Sequence, residues 1–130
     1  MPMTGNNCLL DTSIIIHAFK RNNTIAGKLD EMSEVYVPVV VIGELFYGAY
    51  RSADPAKHIA QIQSFLSNCT TLLPDAMTAD IYAKIKTILT SKDKPIPEND
   101  IWIAATANQY NLPLFTTDNH FKEIDSIRIF

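Results

Sequence analysis

The residues with the clearest chemistry in this sequence are four acids that lie at the ends or on the apolar faces of predicted core elements: Asp11, Glu44, Asp100 and Asp118. Unpaired carboxylates about 5 Å apart repel by roughly 3 kcal/mol per pair at an effective dielectric of 20. If the four converge, they must either take up protons or bind a cation. Because the set offers oxygen ligands only, it suits Mg²⁺ or Mn²⁺.

Each acid also has a purely structural interpretation. Asp11 could cap a helix over residues 12–20, Asp100 could stabilise a helix dipole, and Asp118 could be a turn residue or a cap. Glu44 is harder to explain in this way, because it interrupts the apolar stripe of a predicted helix and a buried, unpaired glutamate is costly. The four positions together indicate a site more strongly than any one of them alone.

Other charged residues have weaker signals. His17 and His120 flank the acids, and we interpret both as core or surface residues. The lysines between residues 84 and 94 could form a basic rim for a phosphate backbone or a solvated helix face. The sequence leaves these two alternatives open.

The elements that must position the acids alternate along the chain. Short strands are predicted at residues 7–10, 35–37, 70–73, 114–116 and 127–129, and the segments between them have helical spacing. In residues 76–89 the predicted apolar face contains Ala79 and Ala83, together with Ile81, Ile85 and Ile88. Alternating strands and helices predict an α/β/α sandwich around a mostly parallel sheet of five strands. Sites in such folds form beyond the carboxyl ends of the strands, where Asp11 and Asp118 both fall.

The bulk composition is that of one globular domain over residues 1–130. The chain is 47% hydrophobic and 19% charged, and no apolar run approaches the roughly 20 residues of a membrane span. The first six residues lack a signal pattern, so we expect a cytoplasmic protein with no membrane partner. Cys8 and Cys69 each lie in an apolar run, which favours two buried thiols over a disulfide. The sequence has no Cys–His spacing that is typical of a zinc site.

The net charge of −3 does not identify the partner. The chain has 14 acidic and 11 basic residues, so without the four acids above, ten acidic residues remain against 11 basic ones. The negative balance therefore comes from the predicted site, where a bound metal would offset it. Binding to a nucleic acid is not excluded by this charge.

Four segments in order resemble the motifs of the PIN-domain nucleases, and within them the VapC-like toxins of bacterial toxin–antitoxin pairs. They are LLDTSIIIH at residues 9–17, VIGELFYGA at 41–49, IPENDIWIAATA at 96–107 and LFTTDNHF at 114–121. The resemblance covers almost the whole chain and matches Asp11, Glu44, Asp100 and Asp118 to the four acids of the family. Ser13 departs from it, because many relatives have asparagine at that position.

The resemblance implies a Mg²⁺- or Mn²⁺-dependent endoribonuclease that hydrolyses RNA phosphodiester bonds. Asp11 and Asp100 would hold the principal ion, and Glu44 and Asp118 would complete its shell or orient the attacking water. Thr116 matches a position that often carries a hydroxyl near the metal, and Ser13 would also support the site. A VapB-like antitoxin and a homodimer are implied as well.

Three rival functions use a similar acidic pocket without hydrolysing RNA. A response-regulator receiver needs a phosphoacceptor aspartate on its third strand, and residues 70–73 carry no acid. A phosphatase of the haloacid-dehalogenase type needs a second aspartate at the position of Ser13. A catalytically silent PIN-like domain, acting only as a binding partner, remains the alternative. The RNA target, the number of metal ions and the antitoxin's identity are not encoded in any motif.

Overall fold

A computed structural model describes residues 6–130. The prediction that the chain lacks a signal pattern concerns mainly residues 1–5, which lie outside the described range. The elements run in the order β1 (Asn7–Leu10), α1 (Thr12–Phe19), α2 (Asn23–Asp30), β2 (Glu34–Pro38), α3 (Val39–Tyr50), α4 (Pro55–Leu66), β3 (Thr70–Leu72), α5 (Ala76–Ser91), α6 (Glu98–Gln109) and β4 (Leu114–Phe115), followed by a short 3₁₀ helix (Asn119–Glu123).

The strands form one parallel sheet in the order β3-β2-β1-β4, flanked by helices. The predicted α/β/α architecture is therefore confirmed. The chain adds β2 and β3 on one side of β1 and then crosses over to place β4 on the other side. Because the strand order reverses between β1 and β4, a crevice is expected beyond the carboxyl ends of these two strands.

The predicted fifth strand is reduced to a single bridge. Ile129 pairs with Leu114 in parallel, and the Phe130 amide donates to the Leu114 carbonyl at 2.7 Å. The ladder stops there because β4 itself has only two residues, after which Thr116 leaves the sheet to contact Asp11. The described sheet thus has four strands rather than the five predicted.

Strand β1 is the centre of the core. Cys8, Leu9 and Leu10 are completely buried, as is usual for a parallel strand covered on both faces. Val37 on β2 and Leu114 on β4 are equally buried beside it. A rigid central strand therefore ends where Asp11 begins.

Two details of the helices differ from the predictions. Helix α2 was not predicted, because its sequence is polar and only Ile25 is buried. On α5 the buried residues are Thr78, Ile85 and Leu89, whereas Ala79 and Ala83 are exposed. The prediction was correct for Ile85, which is buried. It was wrong for the two alanines and for Ile88, because the larger residues at 85 and 89 set the rotation of this helix.

The two cysteines are free thiols. Burial raises the pKa of Cys8 to about 12 and that of Cys69 to about 11, so neither is a reactive thiolate. Strand β2 lies between β1, which carries Cys8, and β3, which follows Cys69, and two strand spacings amount to roughly 9–10 Å. A disulfide needs less than about 7 Å between Cα atoms. Among residues 6–130, no helix has the length and apolarity to cross a bilayer.

Candidate active site

Asp11 lies directly after β1 and is only 4% exposed. It occupies the N-cap position of α1, but its side chain makes no capping hydrogen bond. Instead its Oδ2 accepts hydrogen bonds from the hydroxyl of Ser13 at 2.9 Å and from the hydroxyl of Thr116 at 2.7 Å. Helix capping therefore does not explain this acid, and two hydroxyls hold its carboxylate in one orientation.

Thr116 connects the ends of β1 and β4. Its hydroxyl donates to Asp11 and accepts a hydrogen bond from the Asp118 amide at 2.9 Å. Ser13 adds a second link across the same gap, because its hydroxyl accepts from the Thr117 amide at 3.2 Å. Both support residues of the sequence prediction thus lie between the two aspartates that follow neighbouring strands.

Asp100 projects from the first turn of α6 and is 8% exposed. Its pKa is raised to about 6, chiefly by burial and also by the nearby charges of Asp11 and Asp118, while a hydrogen bond with His120 opposes the rise. Hydrogen bonds connect these acids: Thr116 links Asp11 to the Asp118 backbone, and the His120 imidazole lies against both Asp118 and Asp100. Removing water from Asp100 makes its charged form costly unless a cation lies beside it.

Asp118 combines a structural and a pocket role. Its Oδ1 accepts from the His120 amide at 2.9 Å, and so caps the short 3₁₀ helix as the sequence allowed. The same residue contributes to the raised pKa of Asp100. The capping interpretation and the site interpretation of Asp118 are therefore compatible.

His120 is the residue that the sequence analysis underestimated. Its Nδ1 lies 3.0 Å from Oδ2 of Asp100 and 3.1 Å from Oδ1 of Asp118. The pKa of the imidazole is raised, chiefly by its hydrogen bond with Asp100 and then by the charges of both acids. One potential ligand atom from each of Asp100, Asp118 and His120 lies within 4.8 Å of the other two. The available signal was a histidine two residues after a predicted site acid.

Glu44 is placed at the side of the pocket rather than among its closest carboxylates. It is half-buried on α3, and its Oε1 accepts a hydrogen bond from the Thr12 hydroxyl at 2.7 Å. Because Thr12 directly follows Asp11, this bond connects α3 to the end of β1. Glu44 also lines an apolar cavity of about 340 Å³ between α1, α3 and α4.

Comparison with known proteins agrees with this geometry. The family model described as PIN domain matches residues 8–127. This chain belongs to the PIN domain family. The VapC-like resemblance is likewise confirmed, since this PIN domain is 35% identical over 127 residues to ribonuclease VapC2 of Haemophilus influenzae. That match covers 92% of the chain and 90% of the relative.

Solved structures give the same result. The PIN domain superimposes with a TM-score of 0.91 and 25% identity on a chain of VapBC2 from Rickettsia felis, which was solved bound to a DNA fragment from its promoter. The match covers 95% of this chain and 97% of the other. A second match, to FitAcB from Neisseria gonorrhoeae, has a TM-score of 0.84 and 29% identity, and covers 95% and 96% of the two chains.

Proposed function

We propose that this PIN domain is a divalent-metal-dependent endoribonuclease that acts as the toxin of a toxin–antitoxin pair. The observation that carries the proposal is the buried Asp100 carboxylate, which the His120 imidazole links to Asp118 and whose pKa is raised by the charges of Asp11 and Asp118 as well as by burial. The names of the relatives, ribonucleases VapC, support RNA as the substrate. A toxin that cleaves RNA acts where RNA is translated, so the proposal places it in the cytoplasm.

The residues of the pocket fit a divalent cation. Three carboxylates converge, and burial raises the pKa of one of them to about 6, so near neutral pH the pocket holds more negative charge than its surroundings stabilise. A bound cation would relieve this repulsion. Both Mg²⁺ and Mn²⁺ bind carboxylate oxygens, so either ion could occupy this pocket, as the sequence predicts.

Asp11 and Asp100 are the proposed principal metal ligands, with Asp118 beside them and Glu44 at the side of the pocket. A divalent ion held there would polarise the scissile phosphate and lower the pKa of an attacking water. Glu44 accepts a hydrogen bond from Thr12, the residue after Asp11, and lies outside the tight ligand group of Asp100, Asp118 and His120, so we assign it to orienting that water.

Thr116 and Ser13 are positioning residues in this proposal. Both hydroxyls donate to the same oxygen of Asp11, and the Thr116 hydroxyl also fixes the backbone at Asp118. This fixed orientation matters because the loss of a hydrogen-bond partner of a metal ligand typically lowers metal affinity or activity by about 10–100-fold. Many relatives have asparagine at position 13. In this chain the serine at that position donates a hydrogen bond directly to Asp11.

Cleavage of a labelled RNA by the purified protein tests the proposal. We expect cleavage with Mg²⁺ or Mn²⁺, none with EDTA, and loss of cleavage in Asp11→Ala with an unchanged circular dichroism spectrum. Asp80→Ala is the matched control, because Asp80 is exposed on α5, where it forms an ion pair with Lys84. A well-folded protein that binds RNA and metal but never cleaves would favour a catalytically silent domain instead.

The proposed antitoxin site is the apolar cavity between α1, α3 and α4. Its wall contains Ile16, Leu45 and Ile62, with Glu44 from the metal pocket in the same lining. An apolar segment seated here would cover one side of the acidic pocket and block access to it. The solved relatives are VapBC toxin–antitoxin complexes, which supports an antitoxin as the occupant. Coexpression with the product of a short neighbouring open reading frame should suppress toxicity.

A homodimer is proposed through an exposed apolar face near the start of α6. Val39 is 40% exposed and lines a cavity of about 370 Å³ with Trp102, while Leu73 and Met77 are 64% and 61% exposed in the adjoining segment. We call Val39, Leu73 and Met77 the dimer face. Clustered apolar exposure of this kind is typical of an interaction surface, and a symmetric dimer would bury the same patch on both copies.

A further inference from the structure

His120 is the nitrogen-bearing member of the tight ligand group at the carboxyl ends of β1 and β4. We propose that its Nδ1 is a metal ligand alongside Asp100 and Asp118, and that it makes the site prefer a transition-metal ion such as Mn²⁺ over Mg²⁺. The inference rests on the proposed function, because it concerns the same metal pocket. It adds a nitrogen to a set that the sequence indicated as oxygen only.

The separations of the three ligand atoms fit one ion. Nδ1 of His120 lies 3.0 Å from Oδ2 of Asp100 and 3.1 Å from Oδ1 of Asp118. Adjacent ligands around an octahedral ion with bonds of about 2.1 Å lie about 3.0 Å apart. The imidazole therefore already occupies a position next to both carboxylates that one ion could share, without a change of backbone.

The local chain holds the histidine at this position. The His120 amide donates to Oδ1 of Asp118 at 2.9 Å, so the start of the 3₁₀ helix fixes the two residues relative to each other. The imidazole is about half exposed, whereas the side chain of Asp100 is 11% exposed. The imidazole is thus open to a hydrated ion from solvent, and it lies against the buried carboxylate.

The chemistry of the donor atoms then determines the preference among metals. Mg²⁺ favours oxygen ligands and retains bound water, whereas imidazole nitrogen binds first-row transition ions more favourably. A group of two carboxylates and one imidazole therefore raises affinity for Mn²⁺ more than for Mg²⁺. The same N–O distances would also suit an N–H that donates to both acids, in which case His120 positions the carboxylates without touching the ion.

Pulsed electron paramagnetic resonance of Mn²⁺ bound to the full-length protein at pH 8 separates these two roles. We expect a nitrogen coupling from a directly bound imidazole, and its loss in His120→Gln. His17→Gln is the matched control, because His17 lies on α1, and it should keep the coupling. Calorimetric titrations should show that His120→Gln weakens Mn²⁺ binding by roughly tenfold or more and Mg²⁺ binding much less.

Each other outcome contradicts a distinct claim. If Mn²⁺ binds and Asp100→Asn weakens that binding, but the wild type has no nitrogen coupling or His120→Gln retains it, then the inference fails and the metal pocket stands. Equal weakening of Mn²⁺ and Mg²⁺ binding by His120→Gln also overturns the preference. If Asp100→Asn leaves Mn²⁺ binding unchanged, the proposed metal pocket itself is wrong, and the role of His120 fails with it.

Discussion

At the level of single residues, Asp100 combines burial with two neighbouring carboxylates. Its pKa is raised to about 6, chiefly by burial, from an ordinary value of 3.8. Between roughly pH 4 and pH 6 the folded protein keeps a proton that the unfolded chain has released, so the free energy of unfolding falls as the pH rises through this window. Above it, the metal-free pocket carries its full electrostatic penalty.

Asp100→Asn should therefore stabilise the metal-free protein at neutral and alkaline pH. We expect a gain in the free energy of unfolding at pH 8 in EDTA of up to about 3 kcal/mol, because one pKa unit corresponds to about 1.4 kcal/mol. The gain should be much smaller at pH 4, where the wild-type carboxyl is protonated. Urea unfolding at both pH values measures it, and a gain that is equal at pH 4 and pH 8 would contradict the raised pKa.

Thr116→Val should reduce cleavage while keeping the fold. The isosteric change removes the hydroxyl that donates to Asp11 and accepts from the Asp118 amide, so we expect a loss of about 10–100-fold in cleavage rate. The neighbouring Thr117→Val is the control, because Thr117 is exposed and contributes its backbone amide to the site. Equal rates in the two variants would show that the Thr116 hydroxyl does not position the acids.

The sequence could predict that two of the acids lie near each other but not how they are held. Asp11 and Asp118 could be placed together because both follow strands of a parallel sheet. The contact between His120 and Asp100 joins residues on different elements, and a lone histidine carries no spacing signal for it. The bond from Thr12 to Glu44 was missed for the same reason, because it depends on how α3 packs beside α1.

At the level of elements, the packing of α5 on α6 depends on one buried polar residue. Thr78 is completely buried in the first turn of α5, where its hydroxyl bonds to Gln109 at the end of α6, and it completes a capping box with Asp75. Its burial is possible because these partners satisfy the hydroxyl. The polar contact thus joins the first turn of α5 to the end of α6.

Thr78→Val should destabilise the protein by about 1–3 kcal/mol, because it keeps the shape but leaves Gln109 and Asp75 without their hydroxyl partner. Thr87→Val on the same helix is the matched control. The Thr87 hydroxyl bonds only to the Ala83 carbonyl on an exposed face, so its loss should change stability by less than about 0.5 kcal/mol. Thermal unfolding compares the two, and equal destabilisation would argue against the buried network.

Elements with strong periodicity or clear boundaries could be predicted, and the remaining ones depend on tertiary packing. Strand β1 and the starts of α4 and α5 match the sequence, since apolar runs and Asp–Pro or Pro–Asp pairs mark them. The predicted buried face of α5 was wrong at its two alanines, because alanine is a weak indicator of burial. The fifth strand was wrong because its extent depends on β4, whose last predicted residue turns away to bind Asp11.

At the level of the whole molecule, one domain over residues 1–130 remains a prediction, and the family match over residues 8–127 is compatible with it. Buried parallel strands end at Asp11 and Thr116, and hydrogen bonds from Thr116 connect Asp11 to the Asp118 backbone. The groove proposed for the antitoxin and the dimer face are separate surfaces, lined by different residues of α3. A partner bound at one of these two surfaces would therefore leave the other surface accessible.

Leu73→Asp should convert the proposed dimer to a monomer. A charge on the dimer face would have to be buried in the interface, so we expect light scattering to give about 14.6 kDa for the variant and twice that mass for the wild type. Ile88→Asp is the control, because Ile88 is 55% exposed but lies outside the dimer face. A dimeric Leu73→Asp protein would place the interface elsewhere.

The most direct test of the metal pocket is the single-turnover cleavage rate of a labelled RNA as a function of Mn²⁺ concentration. The metal-stripped wild type should be inactive, regain its rate with saturation as Mn²⁺ is added, and lose it again with EDTA. Asp100→Asn should be slower by at least about a hundredfold at every concentration, despite being more stable at pH 8. Cleavage that persists in EDTA, or an Asp100→Asn protein as fast as the wild type, would contradict the account.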